Sequence, residues 1–208
     1  LKEKGIIVAH VVSSVKFALK AEYAGVDAIV CEGFEAGGHN GREETTTFTL
    51  IPMVQQKVQI PVIAAGGIAS GRGMLAAMVL GADAVQIGSR FAATKESSAH
   101  QNFKTSIVNA KDGDTHLTLK ELAPVRLMKN KFYRELQALY QQNPSKEQLK
   151  EFLGRARAKK GMFEGDLENG ELEIGQIAGF IDEIKSAKEV LNEIIKEFNL
   201  VKSLIHRD

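Results

Sequence analysis

Short β-branched runs alternate with amphipathic stretches through the first part of the chain. Residues 5–12 (GIIVAHVV) form a near-continuous apolar run and predict a buried strand, with His10 as a packed core residue. Ser13 or Ser14 then caps a helix that ends at Gly25. Residues 27–32 (DAIVCE) predict a second strand, followed by a glycine-rich loop and a helix to about Val58. Residues 61–65 (PVIAA) predict a third strand, leading through Gly66 and Gly67 into a helix that ends near Leu80. Residues 84–88 (AVQIG) predict a fourth, and residues 97–110 a further helix. Apolar strands separated by helices specify a parallel sheet covered on both faces.

From about Thr118 the pattern reads as helical throughout. Residues 119–140 are one candidate, Pro144 marks a break, and residues 146–159 are a second. Residues 183–203 are a third, with Ile184, Val190, Leu191, Ile194, Ile195 and Phe198 on one stripe. The expected division is therefore a β/α portion over residues 1–115 and a helical C-terminal extension over 116–208, packing on it. An internal echo supports repeated units. Gly25-Val26-Asp27-Ala28 and Gly81-Ala82-Asp83-Ala84 both end a helix on Gly and enter a strand through an Asp-bearing turn. Repeated β/α units indicate a doubly wound sheet or a (β/α)8 barrel.

Composition narrows the function classes. The 208 residues carry 27 Lys plus Arg against 26 Asp plus Glu, a net charge of +1, which argues against a nucleic-acid partner. The single Cys, Cys31, excludes an intrachain disulfide and a Cys-based metal cluster, and its place in an apolar strand reads as a buried thiol. No apolar run approaches the length of a membrane span, and Leu1-Lys2-Glu3-Lys4 does not read as a signal peptide, so a cytoplasmic protein is expected.

Twelve of the 19 glycines fall between Gly5 and Gly88, which concentrates the chemistry there. The loop Glu32-Gly33-Phe34-Glu35-Ala36-Gly37-Gly38-His39-Asn40-Gly41 lies at a strand's C-terminal end, where α/β folds build their sites. Its glycines let backbone approach a ligand, and His39 is the side chain best suited to move protons near neutral pH. The paired Gly66 and Gly67 follow a strand directly and offer successive N–H groups ahead of a helix, an anion site. Gln86-Ile87-Gly88-Ser89-Arg90 ends the next strand, and Gly88 with Ser89 can offer N–H groups and a hydroxyl to the same anion. Consecutive glycine-bearing strand ends reproduce the phosphate site of TIM barrels.

A rival motif, Gly71-Arg72-Gly73-Met74-Leu75-Ala76, fits the dinucleotide fingerprint G-x-G-x-x-A. That fingerprint should begin immediately after its strand, a place that Gly66 and Gly67 occupy. His100, His116 and His206 form no ligand spacing, so no metal site is expected.

Three segments together resemble the FMN-dependent nitronate monooxygenase and enoyl-ACP reductase II family. They are Glu35-Ala36-Gly37-Gly38-His39-Asn40-Gly41, Ile63-Ala64-Ala65-Gly66-Gly67-Ile68 and Val85-Gln86-Ile87-Gly88-Ser89-Arg90-Phe91, in the family's order and spacing. Residues 95–100 (KESSAH), 123–130 (APVRLMKN) and 175–179 (GQIAG) are more similar to the enoyl reductase branch. The resemblance implies a (β/α)8 barrel with FMN at its C-terminal face. It implies that Gly66, Gly67, Gly88 and Ser89 hold the FMN phosphate, with Gln86 and Ile87 at the same strand end and Gly38 beside the flavin. It makes His39 the active-site histidine. Ser89 stands where many relatives have Thr, which keeps the hydroxyl.

Four β/α units are legible where a barrel needs eight. They match the family's strands 5 to 8, so the chain is expected to be a truncated C-terminal half-barrel with two raw sheet edges. The implied activity is reduction of enoyl thioesters of fatty acid synthesis, free or linked to acyl carrier protein, with NAD(P)H as electron donor and FMN as carrier. Oxidation of alkyl nitronates with oxygen is the alternative on the same fold. An inactive fragment or a phosphate-ligand-binding module is the third. A homodimer is one assembly the resemblance allows.

Overall fold

The computed structural model describes residues 1–205; His206 lies outside the described residues. In chain order the strands are β1 (Ala9–Val12), β2 (Ala28–Glu32), β3 (Gly38–His39), β4 (Val62–Ala65), β5 (Ala84–Gln86), β6 (Thr115–Thr118) and β7 (Val125–Met128). The α-helices are α1 (Val15–Tyr23), α2 (Thr47–Gln55), α3 (Gly71–Val79), α4 (Ser89–Ala92), α5 (Gln101–Val108), α6 (Lys131–Tyr140), α7 (Lys146–Leu153) and α8 (Ala187–Ile205). The chain forms two compact units. One comprises residues 1–36, 40–87 and α8 from residue 188; the other comprises Gly37–His39 and Gly88–Ala187.

The first unit is the parallel sheet expected from the apolar runs, in the order β1-β2-β4-β5. Ile29, Cys31, Leu50, Ile51, Val54, Val62 and Ala64 are buried together between this sheet and its helices. The echoed junctions are one device used twice. Asp27 accepts a hydrogen bond from the Val8 amide at 2.7 Å, and Asp83 accepts one from the Val62 amide at 2.9 Å. Each carboxylate thus takes an amide at or just before the start of the neighbouring strand, satisfying a donor that the ladder leaves open. Of the two candidate caps for α1, Ser14 is the one used, accepting from the Phe17 amide. The first strand is shorter than its apolar run, because Gly5 closes a 3-10 turn and pairing begins at Ala9. His10 is exposed on this edge strand and does not pack in the core as expected.

Helix α8 docks on α3 within this unit. The Glu197 carboxylate accepts from the Gly71 amide at 2.7 Å and pairs with Arg72 at 3.2 Å. A Cβ on Gly71 would overlap the α8 backbone at Ile194 and Phe198. The first glycine of the rival fingerprint is therefore a helix-packing glycine. The amide it would offer a pyrophosphate is already held by a carboxylate, and this is the physical ground against a dinucleotide site.

The second unit corrects the all-helical reading after Thr118. It is built on an antiparallel sheet in the order β3-β7-β6, with Thr115 opposite Met128 and Gly38 opposite Arg126. The expected helix over 119–140 starts only at Lys131, capped by Asn130, whose side chain accepts from the Tyr133 amide at 2.9 Å. Pro124 is the reason. It has no amide hydrogen, and it biases the preceding residue away from helical backbone. After Asn40 the chain passes from the first compact unit to the second at Ile87 and Gly88 and returns to the first at Lys188. Helix α5 is shorter than expected, beginning at Gln101, and α7 stops at Leu153 before Gly154. Phe103, Ile107, Leu172 and Ile174 share one apolar cluster, and Phe132 stacks on Phe152 at 5.5 Å with the Arg157 guanidinium 4.6 Å over the Phe132 ring.

Candidate functional site

In the first unit the glycine pair stands at the C-terminal end of the parallel sheet. Glu32 of β2 pairs with Ala65 of β4, which pairs with Gln86 of β5, so Glu32, Gly66 and Gln86 mark three neighbouring strand ends. Gly66 (φ 91°) and Gly67 (φ 70°) are both in the left-handed region, a conformation that favours glycine. No acceptor among the described residues takes the amide hydrogens of Gly67 or Ile68. Successive uncommitted amides in a left-handed turn form an anion-binding concavity.

Thr47, the first residue of α2, braces this turn and was invisible in the sequence. Its hydroxyl lies 2.9 Å from the Gly66 carbonyl, 3.2 Å from the Ala65 carbonyl and 3.0 Å from Glu35 Oε2. A hydroxyl carries one hydrogen, so it donates to one of these oxygens at a time. Its amide donates to both Glu35 oxygens, at 3.1 and 2.9 Å, which places the carboxylate at the positive end of α2. Gly33 is fixed by the same cluster, since a Cβ there would overlap Thr47. A Cβ on Gly66 would come 2.8 Å from the Gly33 carbonyl.

Between the turn, α2 and α3 lies a cavity of about 170 Å³ lined by Glu35, Thr47, Phe48, Ile68 and Leu80 besides the two glycines. That lining is apolar apart from a carboxylate and a hydroxyl, so it does not itself suit a phosphate. The anion-binding groups are the amides of the turn. Gln86 is exposed at its strand end, whereas Ile87 packs against the first unit's core. Cys31 is fully buried, and burial pushes its thiol up to about 12, which makes it inert, as its strand position implied. Burial also raises the Glu32 carboxyl.

In the second unit, Gly88 is exposed with open space where a Cβ would stand. The Ser89 hydroxyl accepts from the Gly175 amide at 3.0 Å, which leaves its own hydrogen to donate. Gly38 and His39 form β3, with His39 opposite Val125 and its side chain exposed. The loop glycines have packing reasons of their own: a Cβ on Gly37 would overlap Ile174 and Gly175, and one on Gly38 would come 2.7 Å from the Glu173 carboxylate. Glycine density here thus records close backbone packing. Glu173 and Glu171 were missed as well, although the alternation Glu171-Leu172-Glu173-Ile174 is a strand-like signal.

No helix among the described residues is long and apolar enough to cross a membrane, and no group of His, Cys, Asp or Glu among them could hold a metal ion.

Comparison with known proteins supplies the context for this geometry. The family model described as nitronate monooxygenase matches residues 1–197. A probable nitronate monooxygenase of Staphylococcus saprophyticus is 37% identical over 174 residues, 77% of this chain and 49% of that protein. One of Staphylococcus aureus is 44% identical over 126 residues, 57% of this chain and 36% of that protein. Among solved structures, FabK from Thermotoga maritima matches with a TM-score of 0.92 at 46% identity, covering 99% of this chain and 65% of that one. Nitroalkane oxidase from Streptomyces ansochromogenes matches with a TM-score of 0.81 at 29% identity, over 99% and 61%. The chain spans about half the length, or less, of the curated relatives it matches. The parallel β/α units, the glycine turn at their strand ends and the match over nearly the whole sequence have one meaning: the chain belongs to the nitronate monooxygenase family.

Proposed function

We propose that the protein is an FMN-dependent oxidoreductase that reduces the double bond of an enoyl thioester with electrons from NAD(P)H. The observation that carries the flavin assignment is the Gly66–Gly67 turn, with two uncommitted amide hydrogens in left-handed backbone at the end of the parallel sheet. In this reading those amides hold the phosphate, and Thr47 keeps the turn in shape from behind. Gly88 and Ser89 are further phosphate donors, Ser89 through the hydroxyl hydrogen left over after it accepts from Gly175. The family resemblance would add Gln86 and Gly38 as neighbours of the flavin.

The chemistry the flavin supplies when bound is two-electron hydride exchange, here between the reduced nicotinamide and the β-carbon of the thioester. The chain's own task is the proton. His39 has an exposed imidazole on a strand, free to reach a substrate, and its N–H delivers the proton to the α-carbon. The choice of an enoyl thioester rests on segments 95–100, 123–130 and 175–179, which resemble the enoyl-ACP reductase II branch.

Oxidation of alkyl nitronates is the second reading, favoured by the family model and by the names of the staphylococcal relatives. His39 would then act as base or orient the nitronate. Steady-state turnover of the intact protein separates the two. Crotonyl thioester with NADH or NADPH is offered in one arm, and propyl nitronate with oxygen in the other. Consumption of the thioester at least tenfold faster than of the nitronate is expected. The reverse ranking would replace the first reading by the second, and a protein that retains no flavin would remove both.

A further inference from the structure

Helix α5 divides its residues between two sides. Phe103 and Ile107 enter an apolar cluster of the second unit. Asn102, Thr105, Ser106 and Asn109 recur at helical spacing on another side and line a cavity of about 430 Å³. The rest of its wall is largely apolar, with Met128 at the end of β7 and Leu167. That volume lies in the range that holds small molecules, and apolar walls with a few polar groups are the make-up of such sites.

The hydrogen-bonding capacity of the row is largely open. The Asn109 side chain makes no hydrogen bond among the described residues. The Thr105 hydroxyl accepts from Gln101 at 3.5 Å and keeps its own hydrogen. Asn102 gives one amide hydrogen to the Gly165 carbonyl at 3.2 Å and keeps the other, together with its oxygen. Ser106 commits its hydrogen to the Phe103 carbonyl at 2.8 Å and stays an acceptor. No Lys or Arg lines the cavity and Asp114 adds a carboxylate, so its chemistry disfavours phosphates and other anions. From Asn102 to Asn109 the row runs about 10 Å, with a hydrogen-bonding side chain at each turn of about 5.4 Å.

We infer that this cavity takes the pantetheine arm of a thioester substrate, with the arm's amides along the row from Asn102 to Asn109 and its geminal methyls on Met128 and Leu167. The inference rests on the enoyl thioester reading, since the arm is common to thioesters of coenzyme A and of acyl carrier protein. Pantetheine is uncharged, and the β-alanine unit between its two amides sets them close to one helical turn apart. Its secondary hydroxyl finds an acceptor in Asp114, where Oδ2 is committed to the Lys111 amide at 2.7 Å and Oδ1 is open. Strand β7 carries Val125 opposite His39 and, three residues on, Met128 in the cavity wall, about 10 Å along the strand. The arm is longer than that, so a thioester held here extends to the imidazole.

Two measurements on the intact protein test this. Thr105→Val and Asn109→Leu, made together, keep the size of both side chains and delete their hydrogen bonds. Both positions are exposed, so the double variant should melt with wild type. In the first measurement, pantetheine itself is titrated and followed by saturation-transfer NMR on its methyl protons. Wild type should bind it, and the double variant should bind it about tenfold more weakly, the worth of two neutral hydrogen bonds. No saturation transfer in wild type, or equal affinity in the two proteins, would overturn the inference.

In the second, turnover of crotonyl-pantetheine is set beside that of crotonyl-N-acetylcysteamine, whose arm is cut short after its first amide. The double variant should raise KM about tenfold for the long thioester, with kcat and the KM of the short one within about twofold of wild type. An equal rise in KM for both thioesters would contradict the inference. A protein that turns over neither thioester removes the enoyl reductase reading, while the pantetheine titration still decides whether the cavity takes the arm.

Discussion

Asp166 and Glu171, five residues apart, are pushed in opposite directions by their surroundings. Asp166 accepts from the backbone and side-chain amides of Asn169, at 2.9 Å to the former, and these bonds hold its carboxyl well below the usual range. Glu171 is 7% exposed; burial pushes it up to about 7, the nearby Glu173 adds to the rise, and Arg157 opposes it. A carboxyl raised above its unfolded value of 4.5 binds more protons in the folded state. Its contribution favours the fold at low pH and is lost as pH rises from about 4.5 through 7. The full swing is at most about 3.5 kcal/mol, from about 1.4 kcal/mol per unit. Glu171→Gln removes the titrating group and should flatten that decline, so that the variant melts above wild type at pH 8 and the advantage shrinks toward pH 5. Melting temperatures taken across that range check it, and parallel curves for the two proteins would refute it.

The two glycines of Gly71-Arg72-Gly73 show how a motif divides when its elements are seen in place. A Cβ on Gly71 would enter the backbone of α8, whereas one on Gly73 would make ordinary contacts at 3.5 Å with Ile68 and Ser70. Gly71→Ala should therefore displace α8 and destabilise by about 2–3 kcal/mol, the usual worth of overpacking. Gly73→Ala, inside α3, should be neutral or stabilise by up to about 1 kcal/mol. Urea denaturation measures both, and equal effects would contradict the helix-packing account.

Much of the first unit was legible because its strands are apolar runs bounded by caps and glycines: β2, β4 and β5 fall where the pattern puts them. The second unit was less legible. β3 has two residues, too few for any period, and β6 and β7 are four-residue strands with Arg126 buried in one of them. Pro124 was the available signal against a long helix there. The turn was legible as paired glycines directly after a strand, but Thr47 behind it and Glu173 against Gly38 were not. Thr47 reaches Gly66 across 19 positions, and Glu173 meets Gly38 across a far longer stretch, distances that no local pattern records.

Across the whole molecule, one unit is a run of parallel β/α repeats, and the other is an antiparallel sheet with its own helices and apolar clusters. The family match spans both, to residue 197, so family membership belongs to the chain as a whole and not to one motif. The flavin chemistry proposed above, in contrast, hangs on a few backbone amides. FMN titration of the intact protein, by quenching of flavin fluorescence, tests that dependence most directly when wild type is set beside Gly67→Val. A branched Cβ is strained at φ 70° and would crowd the Glu35 side chain, which lies 3.4 Å from the ideal Cβ position. Wild type should bind one FMN per chain. The variant should bind at least about tenfold more weakly, while its apoprotein melts within a few degrees of wild type. Unchanged FMN affinity in Gly67→Val, or no FMN bound by wild type, would contradict the account.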